Sequence, residues 1–232
     1  KRKIWFWAKI VERIAYWYAD VGIVTSNRDK QYIEEEYGFK RVMLIPNYVD
    51  TDLFIPKEKN KIKDEICFVG RLSKEKNLYM LIDALHGTGI GVTLIGDGGE
   101  RVSLEKYAEE RNVKVRCKGF VSNENLPSIL NEYRVFVLPS YFEGNPKALL
   151  EAMACGLCVI GTNVEGIREI ILDKETGILC ERSVSSIKNA INHCLKNKRI
   201  QKQLGINARK YIEKNYSLNN ILKKEIRFIA GE

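Results

Sequence analysis

The feature that most limits the fold is a regular alternation of short apolar runs with segments of helical periodicity, which begins near residue 65. In the first helical segment, Leu78, Leu81, Ile82 and Leu85 recur at the spacing of one helix face. The apolar runs are continuous, which is typical of parallel strands buried on both faces. Strands that alternate with helices predict an α/β fold, a Rossmann-like parallel sheet with helices on both faces. The runs are EICFVG (65–70), GVTLIG (91–96), VKVRCKG (113–119), VFVLPS (135–140), LCVIGT (157–162) and GILC (177–180).

The first 55 residues show the same alternation of helical segments and short apolar runs, with fewer elements. They predict a helix over 4–18, the strand VGIVT (21–25), a helix over 27–37 and the strand VMLIP (42–46). Residues 47–60 hold one proline, Pro56, and several charges without periodicity, and predict a linker. Between the later strands, helices are predicted over 76–85, 102–111, 123–133 and 146–155, and residues 185–229 are almost entirely helical.

Composition narrows the class of protein. Of 232 residues, 45% are hydrophobic and 29% charged, as in ordinary globular domains, and no apolar run reaches the ~18 residues of a membrane span. No secretory signal pattern opens the chain, so we predict a cytoplasmic protein. Because the first residue is Lys1, a piece of a longer protein is one interpretation. The net charge of +8 is spread along the chain without a nucleic-acid-binding motif, so we predict no nucleic-acid partner.

Three short motifs have ordinary explanations. Cys155 and Cys158 match the CxxC redox pattern, but the predicted helix ends at Cys155, where the helix dipole opposes thiolate formation. All six cysteines are therefore predicted to be free thiols. Asp50 and Asp52 match a metal-binding D-x-D, yet they lie in the predicted linker, where turn and cap hydrogen bonds explain them. The GDGG segment (96–99) is explained by a tight turn. No metal is predicted.

Polar and glycine-rich loops follow the predicted strands, and the carboxyl ends of parallel strands form one ligand-binding edge. Gly70 and Arg71 end the first strand, and Lys76 follows at the next helix. Arginine and lysine suit a diphosphate, although no P-loop or dinucleotide fingerprint is present. Asn145 is predicted to cap the helix that starts at Pro146, whose first amides face the same edge. The loop over 162–169, with Gly166 and Glu169, belongs to the same edge.

Two acids bound the segment EGNPKALLE (143–151). Glu143 lies in the loop, and Glu151 lies little more than a turn into the predicted helix. A carboxylate can accept two hydrogen bonds from a vicinal diol such as that of ribose. Two acids that flank an Arg–Lys diphosphate site therefore indicate a nucleotide sugar. The alternative is that Glu151, Arg71 and Lys76 are ordinary surface charges and caps.

Several segments together resemble glycosyltransferase family 4, which has the GT-B fold. The resemblance extends from about residue 23 to the C-terminus and includes the E-x7-E pattern of Glu143 and Glu151. It implies a remnant of the N-terminal, acceptor-side domain over 1–55, a donor-binding domain over 56–215 and a helix over 216–232 that crosses back. The segments that carry it are VTSNRDKQYIEEEYGFKRVMLIPNYVDTDLF, VGRLSKEKNLYMLIDAL, EGNPKALLEAMACG, NVEGIREII and ETGIL.

The resemblance implies a retaining, metal-independent hexosyl transfer in polysaccharide biosynthesis, from a nucleotide-diphosphate sugar to a glycan or lipid-linked acceptor. UDP-sugar is the favoured donor and GDP-sugar the next; no cofactor is implied. Arg71 and Lys76 would stabilise the leaving diphosphate, Glu143 would bind donor hydroxyls and Glu151 the ribose diol. The remaining donor-binding residues implied are Gly70, Phe120, Val121, Gly144, Asn145, Pro146, Lys147 and Ala148.

The chain departs from the family pattern in places. Cys158 replaces a usual proline, and Tyr48 a usual turn glycine. The Gly-rich loop and histidine near the acceptor have no counterpart in this chain, and neither His86 nor His193 is placed to substitute. We therefore expect the isolated chain to bind donor with weak or no turnover. A non-catalytic nucleotide-sugar-binding module, a nucleotide-sugar 2-epimerase and a basic surface-binding protein are the alternatives.

The predicted N-terminal helix contains Trp5, Trp7 and Trp17 behind the basic residues 1–3. Peripheral membrane contact is one interpretation. Packing against the rest of an N-terminal domain is the other.

Overall fold

The computed structural model describes residues 2–57, 63 and 65–230, and the side chains of residues 2–6 and 229 lie outside that description, as do Lys1 and the Trp5 indole. The chain folds as two compact units, Lys1–Asn47 and Tyr48–Glu232. This boundary precedes the predicted one at residue 55, because Val49 and Phe54 are buried in the core of the second unit.

The first unit contains a two-stranded parallel sheet and two helices. Ser26 caps the second helix, since its hydroxyl oxygen accepts a hydrogen bond from the Asp29 amide at 3.1 Å. Tyr16 of the first helix packs against Tyr37 and Phe39. The elements are α1 (Arg2–Tyr18), β1 (Gly22–Val24), α2 (Asn27–Tyr37) and β2 (Val42–Leu44).

The second unit contains a six-stranded parallel sheet flanked by helices, as the sequence predicts. The central strands are buried along almost their whole length, whereas the edge strand β5 alternates between more and less exposed residues. The strands are β3 (Glu65–Val69), β4 (Gly91–Ile95), β5 (Val115–Gly119), β6 (Val135–Leu138), β7 (Cys158–Thr162) and β8 (Ile178–Cys180).

The strand order is β5-β4-β3-β6-β7-β8, so the direction in which strands are added reverses between β3 and β6. In open α/β sheets, ligands bind outside the carboxyl ends of the strands at such a reversal. The topology therefore selects the ends of β3 and β6, at Val69 and Leu138, as the place to search for a ligand site.

Helices connect and cover these strands. The last three confirm the helical end of the chain; the course of α10 relative to the first unit stays a prediction. They are α3 (Leu78–Leu85), α4 (Arg101–Glu110), α5 (Leu126–Leu130), α6 (Lys147–Ala154), α7 (Glu165–Arg168), α8 (Val184–Lys196), α9 (Lys198–Asn215) and α10 (Leu218–Ala230). None of the helices within the described residues is long and apolar enough to cross a bilayer.

Three predicted helix starts are wrong. The helix predicted over 123–133 is shorter, Leu126–Leu130, and follows a turn over 123–125. The segment predicted to be helical from residue 76 is a 3-10 turn, Lys74–Lys76, followed by α3. Asn77 separates the two, because it adopts a left-handed φ of 55° and its side-chain amide donates to the Pro139 carbonyl at 3.0 Å. The predicted Asn145 cap is also wrong. Pro146 has a ψ of 107° and is itself the N-cap residue, and its carbonyl accepts from the Leu149 amide.

Candidate functional site

A cleft of about 340 Å³ opens at the reversal between β3 and β6. It brings together Arg71 and Lys76 from beyond β3 with Glu143 and Lys147 from beyond β6. Of the predicted site residues, seven line it: Gly70, Arg71, Lys76, Glu143, Pro146, Lys147 and Ala148. Its three cations outnumber its two acids, Glu75 and Glu143, and the amides of the first turn of α6 add to the positive charge.

Two of the predicted site residues, Lys76 and Glu143, form an ion pair with each other. The Lys76 ammonium donates to Glu143 Oε1 at 2.7 Å, and the side chains are 19% and 9% exposed. The Ser140 hydroxyl donates to the same carboxylate oxygen at 2.6 Å. Glu143 is therefore held in one orientation by two donors before any ligand arrives.

Three polar residues that the sequence reasoning missed support this pair. Ser140 and Thr162 are buried, and the Thr162 hydroxyl donates to the Ser140 carbonyl at 2.6 Å, which joins the end of β7 to the loop after β6. Glu75 also lines the cleft, and its carbonyl accepts from the Tyr141 amide at 2.9 Å. The available signal was a hydroxyl residue near the carboxyl end of each of two buried strands: Thr162 ends β7, and Ser140 lies two residues beyond β6.

Helix α6 forms one wall of the cleft and part of the core. Residues 149–154 are all buried, whereas Lys147 at its first position reaches solvent and lies 6.0 Å over the Tyr48 ring. The apolar residues fix the axis of the helix. Core packing therefore orients the amino end of α6 toward the cleft, together with the preceding loop.

Glu151 is a buried acid. The residue is 5% exposed, and its carboxylate has no hydrogen-bond donor among the described residues. Burial raises its pKa to about 7, and the Lys147 charge one turn earlier opposes that rise. Glu151 lies outside the lining of the cleft, so its predicted contact with ribose stays a prediction.

Gly166 supports the loop that carries Glu143. A side-chain carbon at Gly166 would lie 2.4 Å from the Glu143 carbonyl oxygen and 2.1 Å from that of Gly144. The loop after β7 therefore packs directly against the backbone of the loop after β6. Glu169 contributes its carbonyl, which accepts from the Tyr216 hydroxyl at 3.3 Å.

The GDGG turn packs in a similar way against the loop after β3. Gly96 has a φ of 129°, which confirms that the turn needs glycine, and a side-chain carbon there would lie 2.0 Å from the Gly70 carbonyl oxygen. This turn therefore packs against the backbone of the Gly70–Arg71 segment and helps to hold it in position.

The other predicted donor-binding residues lie outside this lining. Phe120 is 83% exposed, and Val121 is half-buried after β5. Gly144 and Asn145 belong to the loop beside the cleft. Roles for Phe120, Val121, Gly144 and Asn145 therefore stay predictions.

The alternative motifs take structural roles. Asp50 Oδ1 accepts from the amides of Asp52 at 2.9 Å and Leu53 at 3.1 Å, which confirms turn and cap chemistry. Cys155 ends α6, as predicted, and the Cys158 thiol, buried 3.3 Å from that of Cys194, has a strongly raised pKa. Within the described part of the chain, no group of three His, Cys, Asp or Glu residues is arranged to hold a metal ion.

Comparison with known proteins decides the family. The family model described as "Glycosyl transferases group 1" matches residues 50–211, which contain the cleft and every predicted site residue. The chain belongs to this family. The predicted GT-B type of α/β fold is thereby confirmed, because solved structures of glycosyltransferases match it closely.

Two relatives and one structure illustrate the family. The chain is 31% identical over 200 residues to an uncharacterized glycosyltransferase of Methanocaldococcus jannaschii, which covers 82% of this chain and 56% of the relative. It is 32% identical over 192 residues to the UDP-Gal:alpha-D-GlcNAc-diphosphoundecaprenol alpha-1,3-galactosyltransferase of Escherichia coli, with 73% and 49% covered. Sucrose-phosphate synthase from Thermosynechococcus elongatus aligns with a TM-score of 0.87 at 25% identity, over 96% of this chain and 60% of that one. The chain thus spans about half to three fifths of these proteins.

Proposed function

We propose that this chain is the donor-binding part of a retaining glycosyltransferase of family 4, which transfers a hexosyl unit from a UDP-sugar to a glycan or lipid-linked acceptor. The observation that carries the proposal is the cleft at the β3–β6 reversal, where Arg71, Lys76 and Lys147 surround the amino end of α6. A diphosphate carries the complementary charge, and the arginine fork and helix amides fit its oxygens.

Charge stabilisation is the proposed source of catalysis. When the bond between the anomeric carbon and the diphosphate oxygen breaks, negative charge develops on the leaving diphosphate. Arg71 and Lys76, fixed at the cleft before the reaction, stabilise that charge. Because Lys76 pairs with Glu143 in this structure, donor binding must exchange a carboxylate partner for a phosphate one.

The two acids bind hydroxyls in this proposal. Glu143 accepts hydrogen bonds from the donor sugar through the oxygen that Lys76 and Ser140 leave open, and it is not a general acid. Glu151 accepts from the ribose diol. The protein cations replace the metal ion that a diphosphate otherwise recruits, so we propose metal-independent transfer.

The relative from E. coli supports the choice of donor and acceptor. Its name specifies a UDP-linked sugar, a diphosphoundecaprenol acceptor and an alpha linkage. We therefore propose a UDP-sugar before a GDP-sugar. An α-linked product formed from an α-linked donor retains the anomeric configuration.

A lipid-linked acceptor would place the protein at the cytoplasmic face of a membrane. In α1, Trp7 is 64% exposed and Trp17 is 80% exposed, which supports peripheral contact through this helix. A Trp17→Ala chain should then bind phospholipid vesicles less than the parent chain in a flotation assay. Equal binding would argue for packing against other protein instead.

The first test is calorimetric titration of UDP, GDP and ADP without added metal. We expect one diphosphate to bind at a micromolar dissociation constant and Arg71→Ala or Lys76→Ala to weaken it at least tenfold, as the loss of a charge-assisted hydrogen bond requires. Lys74→Ala is the matched control, because Lys74 is exposed in the same 3-10 turn and lies outside the cleft lining. Equal losses in Lys74→Ala and Lys76→Ala would contradict the proposed site.

We also propose that the chain alone turns over donor weakly or not at all. The positions of the histidines support this, since His86 Nδ1 lies 2.6 Å from the Arg111 carbonyl oxygen and His193 is in the last turn of α8. Release of UDP from a UDP-sugar, with and without glycan acceptors, measures turnover. Rapid release by this chain would contradict the expectation.

A further inference from the structure

A second cavity of about 790 Å³ lies in the same unit as the donor cleft and is larger than it. Its walls are one face of α9, from Lys198 to Glu213, and the turns that lead into β6 and β7. Arg134 directly precedes β6, and Gly156 lies two residues before β7. The cavity is therefore at the amino edge of the sheet, a strand length of about 13 Å from the edge that holds the cleft.

The cavity is lined by an excess of positive charge. Glu213 is the one acid in its lining, and its carboxylate is 2.6 Å from the Arg209 guanidinium. Arg209 also donates to the carbonyls of Thr51 and Ala154, at 2.9 and 3.0 Å, so it holds the wall together. The basic lining residues are Lys57, Arg134, Lys198, Lys202, Arg209 and Lys210.

Five of these cations have no acidic partner among the described residues. Lys57, Arg134, Lys198, Lys202 and Lys210 form no ion pair there, whereas Lys76 in the donor cleft is neutralised by Glu143. Like charges gathered around a concavity repel one another and raise the local potential. Evenly scattered surface lysines would avoid that cost, so the arrangement favours an anionic occupant.

Between the cations, the wall is apolar and closely packed. A side-chain carbon at Gly205 would lie 2.2 Å from the Gly156 carbonyl oxygen, so α9 is pressed against this turn. Pro56 and Ile206 expose carbon surface to the same cavity. The volume lies in the range of small-molecule sites, which are largely apolar with a few charged groups.

We propose that this cavity binds a phosphate-bearing anion, either a soluble phosphate compound or the phosphate of a lipid headgroup. Guanidinium and ammonium groups together suit the several oxygens and double charge of a phosphate better than a single carboxylate. The site is separate from the donor cleft and acts independently of the function proposed for it.

The test uses the 232-residue chain carrying Arg71→Ala and Lys76→Ala, so that the donor cleft does not contribute. Inorganic pyrophosphate is titrated by calorimetry, and vesicles of phosphatidylglycerol or phosphatidylcholine are tested by flotation. The cavity variant is Lys202→Glu with Lys210→Glu. The control is Lys40→Glu with Lys106→Glu, which lowers the net charge equally at exposed lysines outside the cavity.

We expect the cavity variant to weaken binding about 30-fold, on the order of fivefold per cation lost, and the control to change it less than about threefold. Binding of pyrophosphate identifies a soluble source, and binding of phosphatidylglycerol vesicles alone identifies a headgroup. Equal losses in both variants would mean diffuse charge attraction and would overturn the proposal. The proposal would also be overturned if neither pyrophosphate nor phosphatidylglycerol vesicles bind the chain that carries only Arg71→Ala and Lys76→Ala.

Discussion

Glu143, in the loop after β6, and Glu151, in α6, are eight residues apart in the sequence, yet the two acids have opposite environments. Glu143 is held by the Lys76 ammonium and the Ser140 hydroxyl at the mouth of the cleft. Glu151 is buried without a donor among the described residues, and its pKa is raised to about 7.

In the proposed donor site, this difference would prepare the two carboxylates for a ligand in different ways. Glu143 is oriented through Oε1 by Lys76 and Ser140, so its other carboxylate oxygen is open to a ligand. Glu151 has lost the solvation that stabilises its charge, so a ligand that donates hydrogen bonds supplies what the protein lacks. The environment of Glu143 fixes the orientation of its carboxylate. The environment of Glu151 couples ligand binding to the loss of the proton from its carboxyl group.

The largest expected effect is on nucleotide affinity. If Glu151 accepts two hydrogen bonds from ribose, Glu151→Ala should weaken UDP binding by roughly 100-fold, the loss of one to two charge-assisted hydrogen bonds. Glu143→Gln should instead leave UDP binding unchanged or a few-fold tighter, because it frees Lys76 for the diphosphate. Titration of UDP into both variants separates the roles, and equal weakening would remove the contrast.

Glu143→Gln should also discriminate between UDP and UDP-glucose. The sugar-bearing donor should bind more weakly to this variant than to the parent chain, since the carboxylate that accepts from sugar hydroxyls has gone. The ratio of the two dissociation constants is the measurement. An unchanged ratio would show that Glu143 serves only to position Lys76.

The next effect is on stability. The folded-state pKa of Glu151 lies above its ordinary value of 4.5, so the folded chain binds this proton more tightly than the unfolded chain. The resulting stabilisation is complete below about pH 4.5 and is lost as the pH rises through about 7. Glu151→Gln should therefore unfold like the parent chain near pH 4.5 and be more stable by roughly 3 kcal/mol at pH 8. Urea unfolding at the two pH values checks this, and a constant difference would contradict the buried charge.

A smaller effect is expected on the pH dependence of binding. If UDP binds ionised Glu151 as proposed, its affinity should rise about tenfold from pH 6 to pH 8 as a group with a pKa near 7 loses its proton. Glu151→Gln retains only the change due to phosphate ionisation, which makes it the control. Parallel profiles in the two proteins would count against a ribose contact.

The smallest effect concerns Ser140. Ser140→Ala removes one of the two donors to Glu143 and should weaken UDP-glucose by about fivefold, near 1 kcal/mol, with little change for UDP. Ser122→Ala is a suitable control, because that hydroxyl interacts with Asn125 outside the cleft. A loss of UDP binding in Ser140→Ala would instead mean that the loop has collapsed.

The sheet could be predicted from sequence because its determinants are local. Each buried strand is a continuous apolar run, and the predicted bounds of β3 and β7 differ from the observed ones by one residue. The break at Asn77 was missed because it depends on a distant segment. The Asn77 side-chain amide donates to the Pro139 carbonyl, 62 residues away in sequence. The start of α6 was missed because it depends on the backbone angle of Pro146, which is itself the N-cap residue.

The candidate site could be predicted only in part for the same reason. Arg71, Lys76, Glu143 and Lys147 follow strands, so topology alone gathers them at one edge. The pairing of Lys76 with Glu143 depends on how the loops after β3 and β6 meet. The contacts of Gly166 and the basic cavity depend on packing between segments far apart, which no local pattern records.

The contact between Gly166 and the Glu143–Gly144 backbone has a consequence for any attempt to alter the proposed donor sugar. A library built on this site should keep Gly166, Ser140 and Thr162 constant, since together they form a rigid frame behind the carboxylate. Tyr141 and Phe142 are exposed beside that frame and can be varied without disturbing it. Variants with a changed donor preference are therefore best sought at Tyr141 and Phe142. The constant frame limits how far such substitutions can move the Glu143 carboxylate.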